Sequence, residues 1–145
     1  MTQYRILVTG SRDWDDRRTV WQAIASTVMA SAPSTATIVV VHGDCPDGAD
    51  AHAAAWAAAA QGDNRRPVIE EGHPADWRPG GVFDRAAGFR RNAEMVNAGA
   101  DACLAFLAPC SKPSCTELKP HPSHGTAHCA ELAEQAGIPT RRYTA

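Results

Sequence analysis

Three short segments combine glycine with polar side chains in a way that suits phosphate binding. They are Gly10-Ser11-Arg12, Gly43-Asp44 with Gly48-Ala49-Asp50, and Ser123-His124-Gly125-Thr126. Glycine lets backbone N–H groups approach an anion closely, and a helix that begins after such a turn presents the positive end of its dipole. Each segment alone could be only a turn between a strand and a helix, because such turns need glycine and capping residues in any case. Three of them in one chain favour an anion site.

Charged side chains accompany these glycines. Arg12 could hold a phosphate or carboxylate with its forked guanidinium, or it could pair with Asp15 or Asp16 at the surface. Asp44 would be unfavourable beside a phosphate unless it accepts hydrogen bonds from ribose hydroxyls or a base, as acidic residues do in dinucleotide sites. Asp50 could do the same, or it could be the acidic residue in the first turn of a helix.

Three further side chains are candidates for the same site. Asn92 follows Phe89 by three residues on the apolar face of a predicted helix, so its amide needs a partner, which is either a neighbouring loop or a ligand. Arg91 precedes it and could turn inward with it. Trp77 lies in a segment rich in Gly, Pro and His, where it could stack on a base or anchor the loop onto the domain.

Cysteines and histidines are concentrated near the C-terminus. They are Cys110, Cys115, His121, His124, His128 and Cys129. This composition is reminiscent of zinc sites, but the close Cys-x2-Cys pair of the standard zinc patterns is missing. The spacing therefore favours no metal site, and we expect no cofactor.

The elements that position these residues alternate between strand and helix. Apolar or β-branched runs predict strands at 4–8, 37–41, 67–70, 102–107 and 140–143. Helices are predicted from a cap at Asp13 to about residue 31, and over 49–60, 85–98 and 126–136. This alternation is typical of an open, parallel α/β sheet, in which ligands bind at the carboxyl ends of the strands. Two long loops, 72–84 and 109–124, lie among these elements, and the first is a candidate lid.

Length and charge narrow the class of protein. A chain of 145 residues corresponds to one domain, spanning residues 1–145. Its 14 basic and 16 acidic side chains give a net charge of −2, which disfavours a surface built to coat nucleic acid. No apolar run is long enough for a membrane span. The start of the chain has no signal-peptide pattern and the five cysteines are an odd number, so we expect a cytoplasmic protein with free thiols.

Five segments, in order, carry a resemblance to a known family. They are ILVTGSRDW (6–14), VHGDCPDGAD (41–50), HPADW (73–77), AGFRRNAEM (87–95), and Gly125-Thr126 with AGIP (136–139). Together they resemble the YspA/cpYpsA-related branch of the SLOG superfamily, whose wider relatives include phosphoribohydrolases of the Lonely Guy type, molybdenum-cofactor carriers and the DNA-processing protein DprA.

The resemblance implies a Rossmann-like three-layer α/β/α sandwich around a mainly parallel five-stranded sheet. It also implies a pocket for a nucleotide-derived ligand such as ADP-ribose or another NAD derivative. By position in the family's motifs, the ligand-binding residues would be Gly10, Ser11, Arg12, Gly43, Asp44, Gly48, Asp50, Arg91, Asn92, Gly125 and Thr126, to which the loop analysis adds Trp77.

One segment departs from the family pattern. Relatives follow the fourth strand with a compact Pro-Gly-Gly-x-Gly-Thr loop, whereas here a Cys/His/Pro-rich insertion separates Pro109 from Gly125. Hydrolytic relatives carry a glutamate just after the Gly-Thr pair, where this chain has Ala127 and His128, with Glu131 about one helical turn further on.

Three functions remain open on the sequence. The first is binding or sensing of a nucleotide-derived small molecule, by a homo-oligomer that contacts neither membrane nor nucleic acid. The second is hydrolysis of a nucleotide's N-glycosidic bond, for which the candidate catalytic acids are Asp44, Asp50 and Glu131. The third is a DprA-like partner in DNA processing, against which the net charge of −2 counts.

Overall fold

The computed structural model describes residues 2–145, in which strands and helices alternate. The strands are β1 Gln3–Gly10, β2 Thr37–His42, β3 Val68–Gly72, β4 Ala102–Leu107 and β5 Thr140–Thr144. The helices are α1 Arg17–Ser31, α2 Gly48–Asp63, α3 Ala87–Asn97 and α4 His124–Gln135, with one 3-10 turn at Pro79–Gly81.

The strands form one parallel sheet in the order β3-β2-β1-β4-β5. Ile6 and Val8 pack under α1 and α2, whereas Leu7 between them packs under α3 and α4, because alternate residues of a strand point to opposite faces. Three layers result, and the predicted Rossmann-like fold class is confirmed. The chain leaves β1 for β2 on one side and reaches β4 on the other, so a crevice opens at the carboxyl ends of β1 and β4.

Burial follows the position of each strand in the sheet. Every residue of β2 and β4 is buried, as their continuous apolar runs predict for strands covered on both faces. The edge strands β3 and β5 expose polar side chains such as Glu70 and Arg141. Alanines let α2 lie close to the sheet, since Ala49 is fully buried and a side chain at Gly10 would overlap it.

The start of α1 differs from the sequence prediction. Asp16 is the N-cap and accepts the N–H of Thr19 at 3.0 Å, whereas the predicted cap, Asp13, accepts a hydrogen bond from the Ser111 hydroxyl. Trp14 between the two aspartates is buried against the core, which keeps this stretch out of a helical path. The prediction of Asp13 as the cap was therefore wrong.

The other helix boundaries differ by a few residues. Helix α2 runs past Gly62 and ends where Asn64 adopts a left-handed conformation. Helix α3 begins at Ala87, after a turn in which Asp84 accepts the N–H of Ala86 at 3.0 Å. Helix α4 begins at His124, two residues before the predicted start. Among residues 2–145, no helix has both the length and the apolar character that crossing a bilayer requires.

Candidate functional site

Ser11 ties the end of β1 to the end of β4. Its N–H donates to the carbonyl of Phe106, and its Oγ accepts the N–H of Ala108, both at 3.0 Å. The same Oγ is hydrogen-bonded to the Oγ of Ser123, which donates to Thr126 Oγ1 at 3.1 Å. The buried hydroxyl of Ser11 therefore holds two strand ends and the start of α4 together.

The first turn of α4 is partly exposed: Gly125 is exposed, whereas Thr126 is buried. Ser123 is the N-cap residue, but its side chain makes no capping hydrogen bond to the helix. The N–H groups of the first turn therefore receive no cap from it. Gly125 is exposed, and a Cβ at that position would meet no atom within 4 Å. An anion has room to approach the positive end of the α4 dipole at this point.

Strand β2 ends in a turn in which Asp44 has a φ of 56°, a conformation that residues other than glycine seldom adopt. The buried ring of His42 holds it there, because Nδ1 accepts the N–H of Asp44 at 2.9 Å while Nε2 lies 2.8 Å from the carboxylate of Glu70. Asp44 is exposed, and its carboxylate makes no hydrogen bond or ion pair within residues 2–145. Backbone strain of this kind is concentrated at functional sites.

Helix α2 begins directly against the turn that follows β1. Gly48 has a φ of 71°, and a side chain there would overlap the carbonyl oxygen of Ser11 and the backbone of Arg12, so the position requires glycine. Arg12 is exposed, and the surface pair with Asp15 or Asp16 does not form. Its guanidinium has no hydrogen-bond or ion-pair partner in the part of the chain that the structure describes.

Asp50, in the first turn of α2, points into the protein and is 6% exposed. Its Oδ2 accepts the N–H of Cys45 at 3.3 Å. Burial raises the pKa of the Asp50 carboxyl, and the neighbouring side chains of His42 and Arg91, with N–H groups of Cys45 and Gly43, oppose that shift. Asp50 therefore stabilises the turn after β2 from inside.

Arg91 and Asn92 connect the loops of this edge. Arg91 Nη1 donates to the carbonyls of Gly43 at 2.5 Å and His73 at 3.2 Å, and its Nε donates to Asn92 Oδ1 at 3.1 Å. The buried amide of Asn92 donates to the carbonyl of Gly125 at 3.1 Å. The partner of Asn92 is thus the first turn of α4, and Arg91 and Asn92 link the ends of β2 and β3 to the start of α4.

Trp77 packs onto the start of α3. Its ring stacks on Phe83 with centroids 6.2 Å apart, and a Cβ built at Gly88 would lie 3.1 Å from its edge. This packing supports the interpretation of Trp77 as an anchor for the loop between β3 and α3.

Glu131 lies apart from the other candidates. It is exposed on α4, seven residues after His124, which is about 10 Å along the helix axis. The charge near it is that of Arg142 on β5. The structure does not bring Glu131 into the network that contains Asp44 and Asp50.

Two cavities lie at the surface, of which the second adjoins this network at Ala108, whose N–H donates to Ser11 Oγ. One, of about 510 Å³, lies between α1 and α2 and is lined by Trp21 and Trp56. The other, of about 550 Å³, includes three aspartates and one arginine in its lining: Asp13, Asp15, Asp16 and Arg142. That excess of negative charge disfavours a phosphate there. Neither cavity is therefore taken as the candidate site, which is the open edge of the sheet described above.

Two groups of side chains bring possible metal-ligand atoms within 4.8 Å of one another. The first group consists of His42, Asp44 and Glu70. His42 already has a hydrogen-bond partner at each ring nitrogen, which favours a structural role for this group. The second group has the donor atoms that zinc prefers. Its members are Cys110, Cys115 and His121 in the segment between β4 and α4, and His124, the first residue of α4.

The sequence analysis did not predict the contacts of three side chains that hold this edge. His42 had a signal, because a ring at the end of a buried strand needs hydrogen-bond partners. Ser123 had none, since its partner Ser11 is 112 residues away. His128 packs on Phe89 with ring centroids 4.4 Å apart, and the helical spacing of neither residue indicates that contact.

Comparison with known proteins adds a family and a relative. The sequence pattern described as the YspA, cpYpsA-related SLOG family matches residues 4–80, which run from β1 to the loop after β3. The chain is also 43% identical over 136 residues to the Gene 61 protein of Mycobacterium phage D29, covering 93% of this chain and 92% of that protein. No solved structure matches the chain significantly.

Proposed function

The chain belongs to the YspA, cpYpsA-related SLOG family, and from that membership and the geometry of the sheet edge we propose that it binds a nucleotide-derived ligand. Membership supports a nucleotide-related role. The proposed ligand is a nucleoside phosphate, ADP-ribose or another NAD derivative, bound where β1, β2 and β4 end.

The phosphate is assigned to Arg12 and the start of α4. Arg12 is exposed and without a partner among residues 2–145, and a guanidinium fork is complementary to phosphate oxygens. The first turn of α4 supplies uncapped N–H groups beside the open space at Gly125. Ser11 adjoins Arg12 in the chain and bonds to Ser123, which brings both donors to the same crevice.

The ribose hydroxyls are assigned to Asp44. Its carboxylate is exposed and uncommitted within the described chain, on the strand that pairs directly with β1. A carboxylate accepts hydrogen bonds from vicinal hydroxyls, which is the role acidic residues take in dinucleotide sites.

The buried members of the network position these two groups. Asp50, Arg91 and Asn92 are all engaged with loop backbone, so their effect on a ligand is exerted through the loops they hold. The observation that carries the proposal is this division: the buried polar groups are committed to the protein, while Arg12 and Asp44 are left free at adjacent strand ends.

Calorimetric titration of the full chain with ADP-ribose, AMP and NAD tests the proposal. We expect saturable binding of at least one, and a loss of affinity of about tenfold or more in Arg12→Ala and Asp44→Asn, as for a charge-assisted hydrogen bond removed. Arg65→Ala and Asp63→Asn are matched controls, because this exposed pair lies at the other end of α2. Absence of binding to all three ligands, or full affinity in both site variants, would contradict the proposal.

Hydrolysis of an N-glycosidic bond is a second candidate. The observation that favours it is a pair of carboxyl groups in different environments: the buried Asp50, with its raised pKa, and the exposed Asp44. Two carboxyl groups in such different environments can take different roles, one as an acid and the other as a base. Chromatography of nucleoside monophosphates incubated with the protein should then show free base, and Asp44→Asn, at concentrations that saturate its weaker binding, should release none. No free base from any of them rejects hydrolysis and leaves binding untouched.

Self-association stays a prediction, which sedimentation of the full chain would test.

A further inference from the structure

The inserted segment between β4 and α4 closes on itself through its backbone. Pro109 and Pro122 form an antiparallel bridge, and the N–H of Cys110 donates to the carbonyl of His121 at 2.8 Å. The N–H of Ser123 donates to the carbonyl of Ala108 at 3.0 Å. The two ends of the insertion are thereby held side by side at the carboxyl end of β4.

Four side chains converge inside this closed loop: Cys110, Cys115, His121 and His124. Cys115 Sγ lies 3.4 Å from His121 Nε2 and 3.5 Å from His124 Nε2, and the two Nε2 atoms are 3.1 Å apart. All four donor atoms lie within 4.8 Å of one another.

These separations are those of ligands around one tetrahedral zinc ion. With Zn–S of about 2.3 Å and Zn–N of about 2.0–2.1 Å, tetrahedral angles place sulfur and nitrogen ligands about 3.6 Å apart and two nitrogens about 3.3 Å apart. The distances in the loop agree with both values to within a few tenths of an ångström. A small inward or outward adjustment of the side chains would accommodate the ion.

The hydrogen bonding of one histidine also suits a metal. His121 Nδ1 lies 2.9 Å from the carbonyl of Leu118, which can only accept, so Nδ1 carries the proton and Nε2 presents its lone pair to the cluster. Metal-bound histidines are regularly oriented by such a bond from their other nitrogen to a carbonyl.

We propose that Cys110, Cys115, His121 and His124 bind one zinc ion. Four protein ligands fill the tetrahedron, so the site is structural and leaves no position for a substrate. Two thiolates neutralise the charge of the ion. Glu117, whose carboxylate lies 3.1 Å from His124 Nε2, is largely exposed and can turn away when that nitrogen binds metal.

The ion would connect two elements of the proposed nucleotide site. Cys110 follows the end of β4, and His124 is the first residue of α4. Zinc at this position would fix the start of α4, to which phosphate binding is assigned. The site itself does not depend on the proposed function, because zinc content and nucleotide binding are measured separately.

Zinc content of the purified full chain tests the proposal. After reconstitution with zinc and removal of excess metal, we expect elemental mass spectrometry to find about one zinc ion per chain. Cys110→Ser and Cys115→Ser should reduce this to about a tenth or less, since the thiolates are the strongest ligands of the set. Cys45→Ser is the matched control, a partly exposed thiol outside the cluster that should retain full zinc. Wild-type protein without zinc, or cysteine variants that hold as much as wild type, would overturn it.

A second measurement on the wild-type chain guards against variants that fail to fold. Cobalt(II) in place of zinc should give thiolate-to-cobalt charge-transfer bands and the visible bands of a tetrahedral ion. Zinc should protect Cys110 and Cys115 from alkylation while Cys45 reacts at the same rate with and without metal. Equal alkylation of all three under both conditions, or a disulfide between Cys110 and Cys115 in the zinc-treated protein, would contradict the site.

Discussion

The two halves of the sheet edge are built by different kinds of interaction. At the ends of β1 and β2, short-range backbone geometry dominates: Gly48 and Asp44 adopt left-handed conformations, and Asp50 folds a turn only five residues away. At the end of β4 and the start of α4, contacts join residues far apart in the chain, such as Ser11 with Ser123. The first half lies within the family-matched residues 4–80, and the second contains the insertion.

This difference shows that one edge of the sheet can combine a part that matches the family with a part that is specific to this chain. The half near β2 offers Asp44 through a turn that local sequence determines. The half near α4 offers a helix start that the inserted loop must hold in place. Ser11 and Asn92 make the contacts that join the two halves. A change confined to one half, away from these contacts, should leave the other half folded.

Removal of zinc should have the largest effect and should separate the halves. If the insertion is held by metal, chelation should raise amide hydrogen exchange in residues 109–126 to nearly the rate of an unfolded chain. Exchange in β2 should stay slow, because β2 is covered on both faces. Hydrogen exchange with mass spectrometry measures this. If exchange in β2 rose equally, or exchange in the insertion did not change, the two halves would not be stabilised independently.

Asp50→Ala tests the half near β2. The free energy of unfolding should fall by about 2–4 kcal/mol, because the N–H of Cys45 and the charge of Arg91 lose a buried carboxylate. Asp47→Ala is the control, since Asp47 caps α2 without a side-chain hydrogen bond and should change stability by less than about 0.5 kcal/mol. Urea denaturation gives both values. If Asp50→Ala keeps its stability but loses nucleotide binding, Asp50 contacts the ligand and the division between buried and free groups is wrong.

Asn92→Ala tests the junction between the halves. The carbonyl of Gly125 would lose its donor and Arg91 its acceptor, so stability should fall by about 1–3 kcal/mol. Asn97→Ala, an exposed asparagine on the same helix, should stay within about 0.5 kcal/mol of wild type. Thermal and urea unfolding of the two variants check the difference, and equal stabilities would mean that the junction contributes nothing.

The smallest effect is expected at Glu71 on β3, as a dependence on pH. A hydrogen bond from Arg5, followed by that from His73, lowers the pKa of Glu71 from 4.5 to about 2. The stability of this pair is therefore complete above the unfolded pKa of 4.5 and is lost as pH falls toward about 2.

Glu71→Gln should cost about 1 kcal/mol near neutral pH, discounted because a third of the side chain is exposed. The difference from wild type should shrink as the pH falls below 4.5. Urea unfolding at a series of pH values measures it. A difference that is constant down to pH 2 would mean that the ion pair does not stabilise the folded state.

The strands and helices could be predicted from the sequence because each follows from a local pattern of residues. The β-branched run from Thr37 to Val41 predicts a buried strand, and its predicted end is within one residue of the observed one. The start of α1 was misplaced because the burial of Trp14 is a tertiary effect that caps and spacing do not express.

The candidate site was predictable only in part. Gly48 and Asp44 were found because tight turns demand particular residues. Asn92 and Trp77 were found without their partners, since Gly125 and Gly88 meet them only in the folded chain. The proposed zinc cluster was not favoured because the sequence lacks a close Cys-x2-Cys pair. Its two histidines are three positions apart, and a closed loop rather than a short repeat brings them to the cysteines.

The most direct test of nucleotide binding at the sheet edge is a titration of the isotope-labelled full chain with ADP-ribose, AMP and NAD, followed by amide chemical shifts. The predicted result is that shifts change in both halves of the edge, at residues 10–12, 43–48 and 124–126, and stay constant around the cavity of Trp21 and Trp56. Changes confined to that cavity, or none with any of the three ligands, would contradict the proposed site.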